Sequence, residues 1–545
     1  MSFARAVRTV AGLTMVSRVL GFARDLLTAD ILGAGPMADA FFVAFKLPNL
    51  FRRLFAEGAF SVTFVPLFAK TAHADGKDAA ARFAEDAQAM LLALLIPLTI
   101  LLLLFMPAVM LVLAPGFEAG SPRYALAVEL CRITFPYLTL ISITALQGGV
   151  LNALDRYGPF ATAPILFNIS LIGGLLLTPL FPSAAYALSW GEFAAGIIQV
   201  LWMMGSCRRA GIWLKPRWPR LTPEVKRLFI LMGPAAIGAG AVQINIFIDT
   251  MIGSLLPAGS ISHLYYAERL YQLPLGVIGV AVGTALLPAL ARHVRADDRP
   301  AAKRLEARAI EASLLLSLPA AIALMVAGRP IMTALFARGA FSTESAIQTA
   351  GALAAYSAGI PAYVLAKTLS TAYYAREDTK TPLKFSLITV ALNTVFALSF
   401  VLIFHFGIVG ISAATGITAW INVGMLAWGL RQRGLLGFDD RLKHVLPRII
   451  GATVLMAAAL FAIQQPLDGW WAADLLRRGA GLALLVGGGL AIYGGAIVLS
   501  GAAQVSDVTG LFKRDRSPTL PNVGLTKGGS PADNPIPPET LSSNT

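Results

Sequence analysis

Long apolar runs dominate this chain, most of them about twenty residues or longer, separated by short stretches that are either basic or nearly free of charge. Roughly 20 mostly apolar residues are what an α-helix needs to cross the hydrocarbon core of a bilayer. The clear runs cover residues 87–114, 124–151, 160–181, 185–206, 228–256, 306–328, 346–374, 383–404, 408–430, 446–465 and 478–502. Three less apolar runs cover 8–33, 37–70 and 264–291, which makes fourteen predicted transmembrane helices in an all-α membrane protein. Composition agrees: 56% of residues are hydrophobic and 14% charged, against about a quarter charged in a soluble domain.

The loops orient the helices. Lys and Arg concentrate on the cytoplasmic side of membrane proteins. The loop after the sixth run holds Arg208, Arg209, Lys215, Arg217, Arg220, Lys226 and Arg227. The loop after the eighth holds Arg292, Arg295, Arg299, Lys303, Arg304 and Arg308, and that after the twelfth holds Arg431, Arg433, Arg441 and Lys443. The alternate loops 257–263 and 405–407 have no Lys or Arg, and 466–476 has only Asp468 and Asp474. Arg329, Arg338, Arg477 and Arg478 are exceptions on that side. The pattern predicts both termini in the cytoplasm. It also accounts for the net charge of +14 without nucleic acid as a partner. The opening MSFARAVRTVAGLTMV lacks a small-residue cleavage site and reads as mature protein. The Pro-, Ser- and Gly-rich tail 513–545 reads as disordered.

Charge inside the predicted spans is concentrated. The first two runs carry Arg18, Arg24, Asp25, Asp30, Asp39, Lys46, Arg52, Arg53 and Glu57, and the eighth carries Glu268 and Arg269. Each such charge at mid-helix costs about 2.5–3.5 kcal/mol, so the cluster must face a wet cavity or be paired internally. Cations are in surplus, and guanidinium groups suit a phosphate-bearing substrate because their planar fork bonds phosphate oxygens in pairs. The competing reading is structural: Arg24 beside Asp25, or Arg53 and Glu57 at i and i+4, clamp helices, and Arg52, Arg53 and Glu57 snorkel to a surface. Gly21 and Pro48 fall among these charges and are the expected bending points.

Asp249, in QINIFIDTMIG, is isolated in an apolar run, and Asn393, in VALNTVF, is a second buried polar group. They are candidates for one sodium or proton site, against the alternative of a helix–helix hydrogen bond. No Walker loop, GxSxG or HExxH pattern occurs, and Cys131 and Cys207 form no metal spacing. The residues therefore point to a transporter rather than an enzyme, with no resident cofactor. A weak internal repeat relates DAFFVAFKLPNLFRRLF to HLYYAERLYQLPLGVIG, each with paired aromatics and a mid-span Leu-Pro.

SRVLGFARD followed by GAGPMADAFFVAFKLPNLFRRLFAEGAFSVTFVP resembles the signature opening of the MurJ (MviN) family, and APGF, ITFPYLTLIS, GPAAIG, YYAERLYQLPLGVIGVAVGTALLP and REDTKTPLK extend the likeness over most of the chain. The resemblance implies a multidrug/oligosaccharidyl-lipid/polysaccharide exporter fold. Its parts would be an N-terminal six-helix lobe (1–206), a basic loop (207–227), a second six-helix lobe (228–430) and a C-terminal helix pair (431–512). The implied function is flipping lipid II, the undecaprenyl-diphosphate-linked peptidoglycan precursor, to the outer leaflet of the bacterial inner membrane. Membrane lipids and the cell-wall synthesis machinery would be its other partners. The family's cavity arginines fall on Arg18, Arg24, Arg52 and Arg269, its acidic positions on Asp25, Asp39 and Glu57, and its sodium-site aspartate on Asp249. Gln272 departs from relatives that carry an acid there. The rival readings are a flippase for another lipid-linked oligosaccharide, a cation-coupled drug antiporter, which the cationic cavity disfavours, and a membrane scaffold.

Overall fold

A computed structural model describes residues 3–52, 60–436, 439–471 and 473–502. Nineteen α-helices follow one another in the described residues: α1 (Phe3–Leu32), α2 (Pro36–Phe51), α3 (Ser61–Ala74), α4 (Lys77–Leu104), α5 (Met106–Leu113), α6 (Pro122–Thr134), α7 (Tyr137–Ala153), α8 (Gly158–Leu176), α9 (Ala184–Arg209), α10 (Pro223–Ser254), α11 (Ser260–Arg295), α12 (Arg299–Val326), α13 (Gly328–Phe336), α14 (Thr343–Ser357), α15 (Ile360–Tyr374), α16 (Lys380–Leu402), α17 (Gly407–Gln432), α18 (Asp440–Leu467) and α19 (Leu475–Leu499). No strand occurs among the described residues.

Helix ends follow local chemistry. Ser121, Thr222, Asp298, Ser342 and Asp439 precede α6, α10, α12, α14 and α18, and each side chain accepts a backbone N–H of the first turn, which satisfies a donor the helix itself leaves open. Several predicted runs are two helices. The run 124–151 is broken at Phe135–Pro136 and the run 346–374 at Ala358–Gly359, just before Pro361; proline removes a backbone donor and crowds the preceding turn. Gly21 does not interrupt α1, which runs without a break from Phe3 to Leu32.

Among the described residues, ten segments are long and apolar enough to cross a membrane: α4, the α6–α7 pair, α8, α9, α12, the α14–α15 pair, α16, α17, α18 and α19. Their outward faces show the solvent they are made for. On α4, Ile96, Ile100 and Leu104 recur at every fourth position and stand about half exposed or more, an apolar stripe on the face of the helix turned from the core. Helices α1, α10 and α11 are also long, at 30, 32 and 36 residues, but lie outside those ten. They and α2 carry Arg24, Lys46, Asp249, Glu268 and Arg269.

Packing is mostly between near neighbours in sequence. Helix α8 packs on α9 and α1, α7 on α9, and α2 on α6. Helix α16 packs on α17 and α10, α11 on α12, α14 and α15, and α18 on α19 and α12. Contacts across the middle are fewer, chiefly α2 on α11 and α3 on α10. The hairpin α18–α19 is tied to α12 by Glu311, which pairs with both Arg308 and Arg441 at 3.2 Å, and by the Tyr493 hydroxyl, which donates to the Leu315 carbonyl.

Candidate functional site

Where α1, α2, α10 and α11 meet they enclose a cavity of about 670 Å³, a size typical of small-molecule sites. Arg18, Arg24, Asp25, Lys46, Arg52, Glu268 and Arg269 all line it. Sequence reasoning had singled out each of these seven, and they come from helices more than two hundred residues apart in the chain.

The deepest group is an arginine cluster around one carboxylate. Arg24 donates from Nη2 (2.6 Å) and Nε (3.2 Å) to Asp25 Oδ1, and from Nη1 to Asn168 Oδ1 on α8 at 3.0 Å. The Tyr265 hydroxyl of α11 donates to the same Asp25 oxygen at 3.1 Å. Arg269 approaches Asp25 Oδ2 to 3.6 Å and lies over the Tyr265 ring, 4.5 Å from its centroid. A buried guanidinium without a counter-charge would be costly, so Asp25 makes the pair tolerable. The pairing is incomplete, because Arg269 Nε is buried and has no hydrogen-bond partner among the described residues.

Around this core, Lys46 Nζ reaches Thr250 Oγ1 on α10 at 3.0 Å. Arg52 Nε donates to Asn49 Oδ1 at 3.1 Å, and Asn49 in turn donates to Glu192 Oε1 on α9 at 3.2 Å. Glu268 accepts from Gln272 one turn on, at 2.7 Å. Asn168 lies in ordinary contact with Gly21, its Nδ2 3.5 Å from where a Cβ would stand, and donates to the Ser17 carbonyl at 3.0 Å.

Asp39 does not belong to the cavity, contrary to the sequence expectation. It is fully buried and accepts the backbone N–H of Gly259 (2.7 Å) and of Ser262 (2.8 Å), the Ser262 hydroxyl (2.7 Å) and Arg123 Nη2 (2.6 Å). Its charge thus caps the N-terminus of α11, where open donors and the helix dipole favour an anion. Arg53 and Glu57, also predicted to be site residues, lie outside the described residues.

The same end of the molecule is sealed by backbone against backbone. A Cβ on Gly33 would stand 2.4 Å from the Ala340 carbonyl oxygen, one on Gly339 would stand 2.2 Å from that of Asp30, and one on Gly116 would stand 2.2 Å from that of Ser254. Beneath this seal, Phe42 stacks on Tyr265 at 3.9 Å and meets Tyr266 edge-on at 5.5 Å. The paired aromatics noted in α2 and α11 therefore face one another. Tyr266 continues into Phe336 and Phe341, an apolar ceiling between cavity and seal.

Asp249 and Asn393 are brought together, away from the cavity lining. Asn393 Nδ2 donates to Asp249 Oδ1 at 2.9 Å and to Asn245 Oδ1 at 2.8 Å. Thr415 Oγ1 on α17 lies 3.5 Å from Asp249 Oδ2. Asn245 and Thr415 were missed in the sequence because neutral polar residues are common in membrane helices. Lys367 was missed too: it is one lysine in an apolar run, yet it lines the cavity.

A profile described as lipid II flippase MurJ matches residues 28–480. The probable lipid II flippase MurJ of Rhizobium meliloti (strain 1021) is 43% identical over 526 residues, covering 95% of this chain and 97% of that protein. The lipid II flippase MurJ of Burkholderia cenocepacia is 34% identical over 467 residues, covering 84% and 90%. Among solved structures, a lipid II flippase MurJ in an inward closed conformation superposes with a TM-score of 0.76 at 24% identity, covering 90% of this chain and 98% of that one. An inward-facing multidrug resistance transporter of the MATE family and MOP superfamily gives 0.66 at 15% identity, covering 78% and 98%. At such identities these two likenesses establish the fold alone. With the profile and the relatives beside them, the chain belongs to the MurJ family of lipid II flippases, multi-pass membrane transporters.

Proposed function

We propose that this chain carries lipid II from the inner to the outer leaflet of the bacterial inner membrane by alternating access, holding the diphosphate on Arg24, Arg52 and Arg269 while the polyprenyl tail stays in lipid. The observation that carries this reading is the convergence of guanidinium groups from α1, α2 and α11 on one cavity, with Arg269 Nε left unsatisfied there. Arg18 and Lys46 widen the cationic surface, and Asp25 and Glu268 hold the cations in place. Arg53 and Glu57 belong to this proposal on sequence alone.

The architecture behind it is fourteen spans with both termini in the cytoplasm. α1, α2 with α3, α10 and α11 join the ten apolar segments. Two six-helix lobes, 1–206 and 228–430, would rock against each other around the cavity. The packing of α1 to α9 among themselves and of α10 to α17 among themselves supports this division, and the helix pair α18–α19 rests on α12. The sealed end is the outer one, opposite the basic loops, in agreement with a cavity loaded from the cytoplasm.

Asp249, Asn393, Asn245 and Thr415 offer hard oxygen donors around one formal negative charge, a set that fits a sodium ion, as at other transporter cation sites. A bound sodium would neutralise Asp249 and tie α10, α16 and α17 together; a proton on Asp249 is the alternative coupling species. The membrane potential is an independent driving term, because anionic charge moving outward gains ~2.3 kcal/mol per charge per 100 mV.

The test is flipping of lipid II by the purified protein in proteoliposomes, with potential and sodium gradient imposed separately. Arg24→Ala and Arg269→Ala abolish flipping if the reading holds. Wild-type rates in both variants would overturn it.

A further inference from the structure

The cavity cations fall into two groups. Arg24 and Arg269 share Asp25. Arg18 and Lys367 line the same cavity and stand exposed, but neither side chain makes a hydrogen bond or an ion pair among the described residues. Helix α11 explains their placement. Its cavity side carries the polar residues Glu268, Arg269 and Gln272 and then Gly276, and Gly279 follows three residues on. The two glycines are covered from two other helices. Arg18 of α1 lies 2.8 Å from where a Cβ on Gly276 would stand, and the Lys367 side chain of α15 lies 3.6 Å from where one on Gly279 would stand. Those glycines are three residues apart, about 4.5 Å along the helix axis. Two uncompensated cations are thus laid over neighbouring turns of one glycine face, away from the arginines that share a carboxylate.

We infer that Arg18 and Lys367 form a second anion subsite, which takes a carboxylate of the peptide on the substrate's headgroup while the Arg24–Arg269 cluster takes the diphosphate. This rests on the flippase reading above. Chemistry divides the roles. A diphosphate carries several charged oxygens and suits guanidinium forks. A single carboxylate matches one guanidinium with an ammonium beside it as a point charge. Two subsites set apart along α11 would measure the distance between diphosphate and peptide, and so reject lipid diphosphates that lack an acidic peptide.

The experiment measures affinity of the purified full-length protein in nanodiscs for two lipids with the same diphosphate and disaccharide, one with free peptide carboxylates and one with those carboxylates amidated. Wild type is expected to prefer the free acid. Lys367→Gln is expected to weaken binding of the free acid about tenfold, the size of one charge-assisted contact, and to leave the amidated lipid unchanged. Lys367→Arg, which keeps the charge, should keep the preference. Equal affinity of wild type for the two lipids, or a Lys367→Gln effect that is absent or identical for both, overturns the subsite. Failure of the flippase reading looks different: Arg24→Ala would then bind both lipids as tightly as wild type, whatever Lys367 does.

Discussion

The carboxylate of Asp39 on α2 sits over the first turn of α11 and accepts both the backbone N–H and the hydroxyl of Ser262. One side chain from the first lobe thus caps the helix that carries Glu268 and Arg269. Removing one partner of a buried, hydrogen-bonded charge set costs about 3–5 kcal/mol, and here that cost falls on the sealed state. Asp39→Ala is expected to open the seal. Spin labels at Met37 and Glu344, both exposed at that end, should show a longer and broader distance distribution than in wild type. An unchanged distribution would mean that the cap does not hold the seal.

Gly116 and Gly120 separate close approach from backbone conformation. A Cβ at Gly116 would meet the Ser254 carbonyl oxygen at 2.2 Å, whereas Gly120 has a φ of +84° and open space around it. Gly120→Ala should cost only conformational strain, roughly 1–2 kcal/mol, with transport retained. Gly116→Ala should force α10 from the α5–α6 loop, lengthen the distance between labels at Glu118 and Ala258, and lower flipping at least tenfold. Equal behaviour of the two variants would argue against a backbone seal.

Sodium, if it binds at Asp249, stabilises the folded protein by mass action, about 2.7 kcal/mol at a hundredfold excess over its dissociation constant. The wild-type melting temperature should then rise with sodium chloride above that in potassium chloride, and Asp249→Asn should abolish the difference. No difference between the two salts in wild type would remove sodium from the mechanism.

The basic linker before α10 is pinned to α4. Arg217 pairs with Glu85 at 2.8 Å and Asp86 at 3.4 Å, and the Lys215 N–H donates to Glu85. Arg217 is over a third exposed, so the contact contributes under ~1 kcal/mol. Arg217→Ala should leave the melting temperature almost unchanged yet speed tryptic cleavage after Arg220. Unaltered cleavage would show that the linker is held by other contacts.

What could be read from the sequence depended on whether a residue advertises its cost. Arg18, Arg24, Arg52 and Arg269 stood out because charge in an apolar run demands a reason, and the structure gives all four the same cavity. Asp39 stood out for the same cause but was misplaced: its partners are backbone groups of α11 more than two hundred residues away, and no periodicity in α2 reveals which end of another helix it meets. Asn245, Thr415 and Asn168 cost little in a membrane helix and gave no signal. Lys367 was passed over inside a run that otherwise reads as lipid-facing. The runs themselves were legible, but not their breaks, which depend on whether a neighbour satisfies the freed backbone groups beside Pro136 or Pro361.

Asp25, placed between Arg24 of one half and Arg269 of the other, has a consequence for turnover. Under the proposed function Asp25 would act as a stand-in for the cargo, so an arriving diphosphate would gain only the difference between two anions. That difference would keep the grip moderate and let cargo depart on the far side. Once it had gone, the carboxylate would again be the shared partner of Arg24 and Arg269, so part of the cavity's positive charge would stay compensated on the way back.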